Sequence, residues 1–69
     1  MDNEYKTQNK LLRATEVAEI LDISRSMAYR LIQTGEIRSV YIGMARRVRP
    51  EDLQGYIEKN LHPHPAFTK

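Results

Sequence analysis

The strongest constraint on the fold of this chain is a basic segment that runs from Ile23 to Arg49. It holds six arginines and one acid, a formal charge of +5, whereas the rest of the chain sums to −3. The segment follows a helix-then-hairpin pattern. A basic patch confined to one helix and one hairpin is typical of a small protein that binds duplex DNA. The DNA phosphates attract the patch, and a rigid helix or hairpin then contacts the base edges. The arginines are Arg25, Arg30, Arg38, Arg46, Arg47 and Arg49, and the acid is Glu36.

The length of 69 residues predicts one small domain with a thin core, since such a chain buries only about 60% of its unfolded surface. Without cysteine, neither a disulfide nor a zinc–thiolate site is available. No apolar run approaches the roughly 20 residues of a membrane span, and no signal peptide is visible, so we expect a cytoplasmic protein. Ser24 has no histidine or aspartate placed to activate it, and Tyr56 lies on an apolar stripe. We therefore expect no enzyme and no cofactor.

Three regions are predicted along the chain. Residues 1–10 are polar and aperiodic and are expected to form a flexible N-terminal arm. Residues 11–61 carry the periodic patterns of the folded domain. Residues 62–69, HPHPAFTK, are expected to form a flexible C-terminal tail, because alternating prolines forbid a helix. His62 and His64 in this tail lack a third ligand, so no metal site is expected.

Two short helices open the predicted domain. Thr15 is expected to cap the first, and its apolar side holds Val17, Ala18, Ile20 and Leu21. After a tight connection at Asp22 and Ile23, Ser24 is expected to cap a second helix that runs to about Thr34, with Gly35 at the position of a C′ glycine. Ala28, Leu31 and Ile32 are predicted to face the core, and Arg25, Ser26, Tyr29, Arg30 and Gln33 to lie on the other side. Two such helices predict a helix-turn-helix.

A β-hairpin and a third helix complete the pattern. Val40 and Ile42 alternate with polar neighbours at strand period, Gly43 supplies the turn, and Val48 returns the chain to the core. Pro50 is expected at N1 of the last helix. Its apolar stripe is predicted at Leu53, Tyr56, Ile57 and Leu61. Leu11 and Leu12 form either a short strand or a lid over the core. The predicted fold is mainly α with a small hairpin, in the order helix, helix, hairpin, helix.

Residues 11–61 resemble the excisionase-type winged helix-turn-helix family, whose relatives include the DNA-binding domain of MerR regulators. The shared pattern is L-x-[IV]-S, then Y-R-L-I-x-x-G-x-I, a strand ending in I-G, an arginine-rich turn and D-L-x-x-Y-I. Two departures stand out. Met44 replaces the usual Arg or Lys after the I-G, and Met27 and Ala28 replace a common Thr-Val.

The resemblance implies that the helix from Ser24 to Thr34 enters the major groove and that the Gly43–Arg47 turn reaches the neighbouring backbone or minor groove. Alternation puts Arg46 and Arg47 on opposite faces, so one of them packs its stem against the domain. Arg47 matches the family's recurring arginine. A solvated surface is the alternative for each of these residues, and it is as good an interpretation for Arg38. The predicted DNA-binding residues are Ser24, Arg25, Ser26, Tyr29 and Arg30 on the helix and Arg38, Met44, Arg46 and Arg47 on the wing.

Three functions follow as hypotheses. The first is an excisionase, or recombination directionality factor, of a phage or integrative element, which binds beside attachment sites, bends DNA and assists a tyrosine or serine integrase. Because one module covers only about 600–1,000 Å², further copies would bind head to tail. The second is a small transcriptional regulator. The chain ends eight residues after Leu61, so the dimerisation helix and effector domain of MerR regulators are expected to be absent. The third is a protein-interaction adaptor that acts through its tails.

Overall fold

The computed structural model describes residues 10–61, and these form three helices and one hairpin. The expected arm before Lys10, the expected tail at 62–69 and the two histidines lie outside the described residues. The order confirms the predicted mainly helical fold with a small hairpin, as in a winged helix-turn-helix domain. The elements are α1 (Ala14–Leu21), α2 (Arg25–Gln33), β1 (Val40–Ile42), β2 (Ala45–Arg47) and α3 (Pro50–Lys59).

The start of α1 differs from the prediction, which placed the N-cap at Thr15. The helix begins at Ala14, so Arg13 is the N-cap and Thr15 lies inside the first turn. Arg13 contributes its backbone rather than its side chain, because its N–H donates to the Glu16 carboxylate at 2.8 Å. An acid three residues after the cap therefore satisfies a backbone donor that the helix itself leaves free.

The apolar face of α1 is also displaced from the predicted one. Ala14, Val17 and Ala18 are buried and Leu21 packs against them, at the i, i+3, i+4, i+7 spacing of a helix face. The prediction for Ile20 is wrong, since this side chain is 55% exposed. Ile20 lies six residues after Ala14, a spacing that turns its side chain away from the buried stripe.

The signals predicted for α2 are confirmed. The Ser24 hydroxyl accepts the Met27 backbone N–H at 3.1 Å, which makes Ser24 the N-cap. At the other end the helix closes at Gln33, and Gly35 takes a left-handed φ of 87° while its N–H donates to the Ile32 carbonyl. Asp22 also adopts a left-handed φ, of 59°, and this sharp bend after α1 sets the angle at which α2 packs.

The hairpin is closed by a two-residue turn and tied to the start of the domain. Ile42 pairs with Ala45 across Gly43 and Met44, and Gly43 has the left-handed φ of 61° that the turn requires. Beyond β2, Val48 is fully buried and forms an antiparallel bridge with Leu12 through hydrogen bonds of 2.7 and 2.8 Å. Leu12 therefore acts as a one-residue strand and holds the base of the wing against the helices.

A thin core joins all of these elements. α3 begins with Pro50 at N1, as predicted, and buries Leu53 while Tyr56 packs beside it. The predicted stripe fails further along. Ile57 is partly exposed although it lies inside the helix, and Leu61 is 76% exposed because the helix ends at Lys59 and helical spacing no longer applies there. No helix within residues 10–61 is long and apolar enough to cross a membrane. The buried residues are Ala14, Val17, Ala18, Ala28, Ile32, Ile37, Val48 and Leu53.

Candidate nucleic-acid interface

The outward face of α2 carries the side chains predicted to meet DNA. Arg25, Ser26, Tyr29 and Arg30 are all exposed there, whereas Ala28 on the opposite face is fully buried. Within residues 10–61 neither Arg25 nor Arg30 has an ion-pair partner. Ser24 already uses its hydroxyl to cap the helix, with Ser26 Oγ 3.4 Å away. The two arginines, Tyr29 and one of the two serine hydroxyls therefore keep donors for a partner.

The first turn of α2 is unusual in its charge. It contains no acid, and Arg25 occupies the first helical position. A cation there is unfavourable for the helix by about 0.3–1 kcal/mol, because the N-terminus already carries partial positive charge. Helix stability therefore does not account for Arg25. Together the guanidinium and the backbone N–H groups present positive charge to the solvent, which suits an anion such as a DNA phosphate.

The wing holds one arginine tightly and presents a methionine at its tip. Arg46 lies opposite Tyr41 in the hairpin, with its guanidinium 4.5 Å from the centre of the Tyr41 ring. The same guanidinium donates to the Tyr41 hydroxyl and, at 3.4 Å, to the carbonyl of Ile32 in α2. Arg46 is thus the wing arginine whose guanidinium is held by its own domain. Met44 is 98% exposed.

Arg47 lies on the other face of β2 and is half-buried. Its Nη1 donates to the Arg46 carbonyl at 3.1 Å, and within the described residues no carboxylate pairs with it. One guanidinium nitrogen is thus held by the backbone while the others keep donors available. This arrangement is compatible with the DNA contact predicted for Arg47.

Tyr29 of α2, the wing and the start of α1 line a cleft of about 450 Å³, which brings four of the predicted residues together. It includes one residue that the prediction missed, Arg13, because the first cap had been placed at Thr15. A basic residue just before the first helix was the available signal. Among residues 10–61 three arginines and no acid line this cleft, which favours an anionic partner. The lining residues are Arg13, Ala14, Thr15, Tyr29, Met44, Arg46 and Arg47.

Two arginines of the basic segment lie elsewhere, beside the acids of α3. Arg49 donates through Nε and Nη2 to the two carboxylate oxygens of Asp52, at 2.7 and 3.0 Å, and approaches Glu51 at 3.4 Å. Arg38 lines a separate groove that also contains Asp52 and Glu51. The Arg49 hydrogen bonds, and to a smaller extent the charges of Arg49 and Arg38, hold the pKa of Asp52 below its usual value. The +5 of the segment is therefore divided between two surfaces.

A second carboxylate with a lowered pKa lies near the shared cleft. Glu16 accepts the Arg13 backbone N–H and forms an ion pair with Lys10 at 2.9 Å, and these contacts lower its pKa in that order. The carboxylate of Glu16 is thus already paired with the Arg13 N–H at the start of α1 and with Lys10. Among residues 10–61, no group of three or more His, Cys, Asp or Glu could hold a metal ion.

Comparison with known proteins places this arrangement in a family. A family model described as "Helix-turn-helix domain" matches residues 11–61, which comprise the three helices and the hairpin. No match was found among curated proteins, and none among solved structures. Domains of this kind are typically non-enzymatic. The chain belongs to this helix-turn-helix domain family, a DNA-binding, excisionase-like family.

Proposed function

We propose that this chain is a sequence-specific, double-stranded DNA-binding excisionase of a phage or integrative element. It binds beside attachment sites in several head-to-tail copies, bends the DNA and assists a tyrosine or serine integrase in excision. It acts in the bacterial cytoplasm, with no catalytic residue and no cofactor of its own. The observation that carries the DNA-binding part is the cleft that Tyr29 of α2 shares with the wing and the start of α1, which among residues 10–61 is lined by three arginines and no acid. On the exposed face of α2, Arg25 and Arg30 have no ion-pair partner among the same residues.

In this proposal α2 lies in the major groove. Arg25, Ser26, Tyr29 and Arg30 project from its exposed face, and Ser24 fixes the helix start. Arginine recognises guanine through two parallel hydrogen bonds to O6 and N7, and this requires a guanidinium that is not already paired. The side chains of Arg25 and Arg30, which are exposed and have no ion-pair partner in the described part of the chain, meet that requirement. Ser26 and Tyr29 have hydroxyls that would contact a base edge or a phosphate.

The wing residues take different roles. Arg47 contacts a phosphate, because its guanidinium keeps donors and has no carboxylate partner among the described residues. Arg46 stiffens the wing through Tyr41 and Ile32 and adds positive charge. Arg38 lies beside Asp52, whose charge reduces its attraction to DNA, so it is the weakest of the proposed contacts. Met44 occupies the tip of the hairpin.

The small size of the module favours an excisionase that acts in tandem. One recognition helix and one wing cover only about 600–1,000 Å², which limits the specificity of a single copy. Adjacent copies or an integrase would raise the effective affinity without new base contacts. A stand-alone transcriptional regulator with the same domain is the alternative. An adaptor that acts through its terminal segments would depend on residues outside 10–61.

Footprinting of the purified chain across its own genetic locus, with competitor DNA at physiological salt, separates these functions. Protection of several adjacent repeats beside an integrase attachment site is the result we expect. Protection of a single promoter site would replace the excisionase with a regulator, and the absence of any protected site would contradict DNA binding. Stimulation of integrase-dependent excision by the purified chain is the second expected result, and its absence at a protected attachment site would refute the excisionase role.

A further inference from the structure

The tip of the wing is apolar and projects fully into solvent. Gly43 and Met44 form the two-residue turn, and the left-handed φ of Gly43 lets the chain reverse there. With 98% of its surface exposed, Met44 makes almost no contact with its own domain. Tyr41 and Ile42 on β1 are also largely exposed. The tip therefore contributes little to the core, and its apolar surface is available to a partner.

The surroundings of Met44 indicate which partner fits. Arg13, Arg46 and Arg47 line the same cleft, and no acid lies among them. A matching surface must bring negative charge to the flanks of the wing and an apolar layer to its tip. The minor groove of a DNA duplex can supply both, because two phosphate backbones border it and an apolar side chain that parts two base pairs at its floor meets their apolar faces. Another protein would need a ring of acids around an apolar pocket to match as well.

The base of the wing is braced, as an inserted side chain would require. Arg46 connects β2 to Tyr41 across the hairpin and to the carbonyl of Ile32 in α2. At the open end of the hairpin, Val48 is bonded to Leu12 through two backbone hydrogen bonds. A force on the tip is therefore transmitted to α2 and to the core and does not simply fold the hairpin aside.

We infer that Met44 is a wedge that inserts from the minor groove between two stacked base pairs and kinks the duplex toward the major groove. This inference rests on the proposed DNA binding and adds the residue that bends the DNA. An unbranched thioether is long and adaptable enough to enter a base step, and it loses little by leaving water. Apolar wedges of this kind bend DNA by about 20–90° and repay the cost of unstacking through a larger contact surface.

The test uses the full chain and a duplex that carries one protected site, with 2-aminopurine placed at successive positions beside it. Wild type is expected to raise the fluorescence at one base step and to bring together fluorophores attached to the two DNA ends. Met44→Ala should abolish the fluorescence rise and reduce the bend by about 20° or more. Met44→Leu, which keeps an apolar wedge, should retain both signals. Met44→Lys should bind at least as tightly as wild type through phosphate attraction and yet leave the bases stacked.

The outcomes separate this inference from the proposed function. Because Met44 makes almost no contact within the domain, all three variants should keep the wild-type melting temperature. Binding by wild type without any unstacked step would overturn the wedge and leave DNA binding intact. Bending and unstacking by Met44→Ala equal to wild type, with loss only of the binding of further copies, would make Met44 a protein contact and overturn the wedge. Failure of wild type to bind any duplex would overturn both.

Discussion

The contact between Arg49 and Asp52 gives Arg49 a structural role. Removing this contact is therefore the most direct test of the conclusion that the arginines of the basic segment are divided between two surfaces. Asp52→Asn preserves the shape of the side chain and removes its charge. The carboxylate is only 10% exposed and accepts two hydrogen bonds, at 2.7 and 3.0 Å, from a guanidinium that is 42% exposed. It also lies in the first turn of α3, where the helix dipole favours an acid.

Two contributions set the size of the effect. Ion pairs of this exposure stabilise by about 0.2–1 kcal/mol, because solvent screens the more accessible partner. The acid at the helix start contributes about 0.3–1 kcal/mol. We therefore expect Asp52→Asn to lower the free energy of unfolding by about 1 kcal/mol at neutral pH. For a domain of this size that loss corresponds to a melting temperature lower by about 4–8 °C.

The pH dependence identifies the charge as the cause. The pKa of Asp52 is lowered in the folded protein, so its stabilisation is complete above the unfolded value of about 3.9 and is lost as the pH falls through the folded value. The gap in stability between wild type and Asp52→Asn should therefore be full at pH 6–7 and close progressively below about pH 4. Glu16 also has a lowered pKa, but it titrates in both proteins and cancels from the difference.

Urea denaturation followed by circular dichroism at several pH values measures this gap. Glu51→Gln is the matched control, since Glu51 approaches the same guanidinium at 3.4 Å, is 62% exposed and makes no hydrogen bond to it. Glu51 also lies in the first turn of α3, so the control should lose a similar helix-dipole contribution of about 0.3–1 kcal/mol. It keeps the paired hydrogen bonds of Asp52 and should therefore cost less than Asp52→Asn. An equal loss in both variants, or a gap that persists at acid pH, would refute the reasoning. DNA affinity measured well below the melting temperature should not fall in Asp52→Asn, and it should rise slightly, because the charge of Asp52 no longer opposes the attraction of Arg38 to DNA.

Three further predictions concern the DNA interface and the wing. Arg25→Ala and Arg30→Ala should each weaken specific binding by about 1–3 kcal/mol if the contact is bidentate to guanine, and wild-type anisotropy titrations for both would refute the recognition face. Arg47→Ala should weaken binding to all sequences and flatten the salt dependence of log K by about 0.9 per phosphate, whereas Arg38→Ala should change that slope less. An equal change of the salt slope in Arg47→Ala and Arg38→Ala would contradict the conclusion that these two arginines lie on different surfaces. Gly43→Ala should lower stability by about 1–2 kcal/mol through its left-handed backbone alone, since an added Cβ meets no atom within 4 Å, and an unchanged melting temperature would contradict this.

The elements of the fold were predictable where the signal is local. Ser24 accepts a backbone N–H, Gly35 takes a left-handed φ and Pro50 occupies a first helical position, and each depends only on a residue and its neighbours. The failures at Thr15 and Leu61 have another origin. At the start of α1, the Glu16 carboxylate accepts the Arg13 N–H, so the cap lies at Arg13 and not at Thr15. At the end of α3, helical hydrogen bonding stops at Lys59, so Leu61 does not continue the apolar stripe.

The candidate site was predictable in part, and the remainder depended on long-range contacts. The exposed face of α2 follows from helical spacing, because Ala28 and Ile32 must be buried. Strand alternation assigned Arg46 and Arg47 to opposite faces, and only the folded chain shows that Arg46 is the one that packs on Tyr41. Arg13 enters the cleft because the Leu12–Val48 bridge brings the start of the domain to the wing, a pairing that no local pattern specifies.

Some arginines of the basic segment are held by carboxylates and others remain able to contact DNA. This difference limits the affinity of one copy of the domain for DNA. Arg49 is committed to a carboxylate and Arg38 lies among acids, so the positive surface beside α2 and the wing depends on a smaller set. Each arginine that contacts a phosphate releases about one counterion, so this set bounds the electrostatic affinity of one copy. A wedge at Met44 would add shape selectivity, because pyrimidine–purine steps unstack at lower cost than others. A small number of phosphate contacts and one deformable base step discriminate only modestly between DNA sequences. This is the physical reason to expect adjacent copies or an integrase at a functional site.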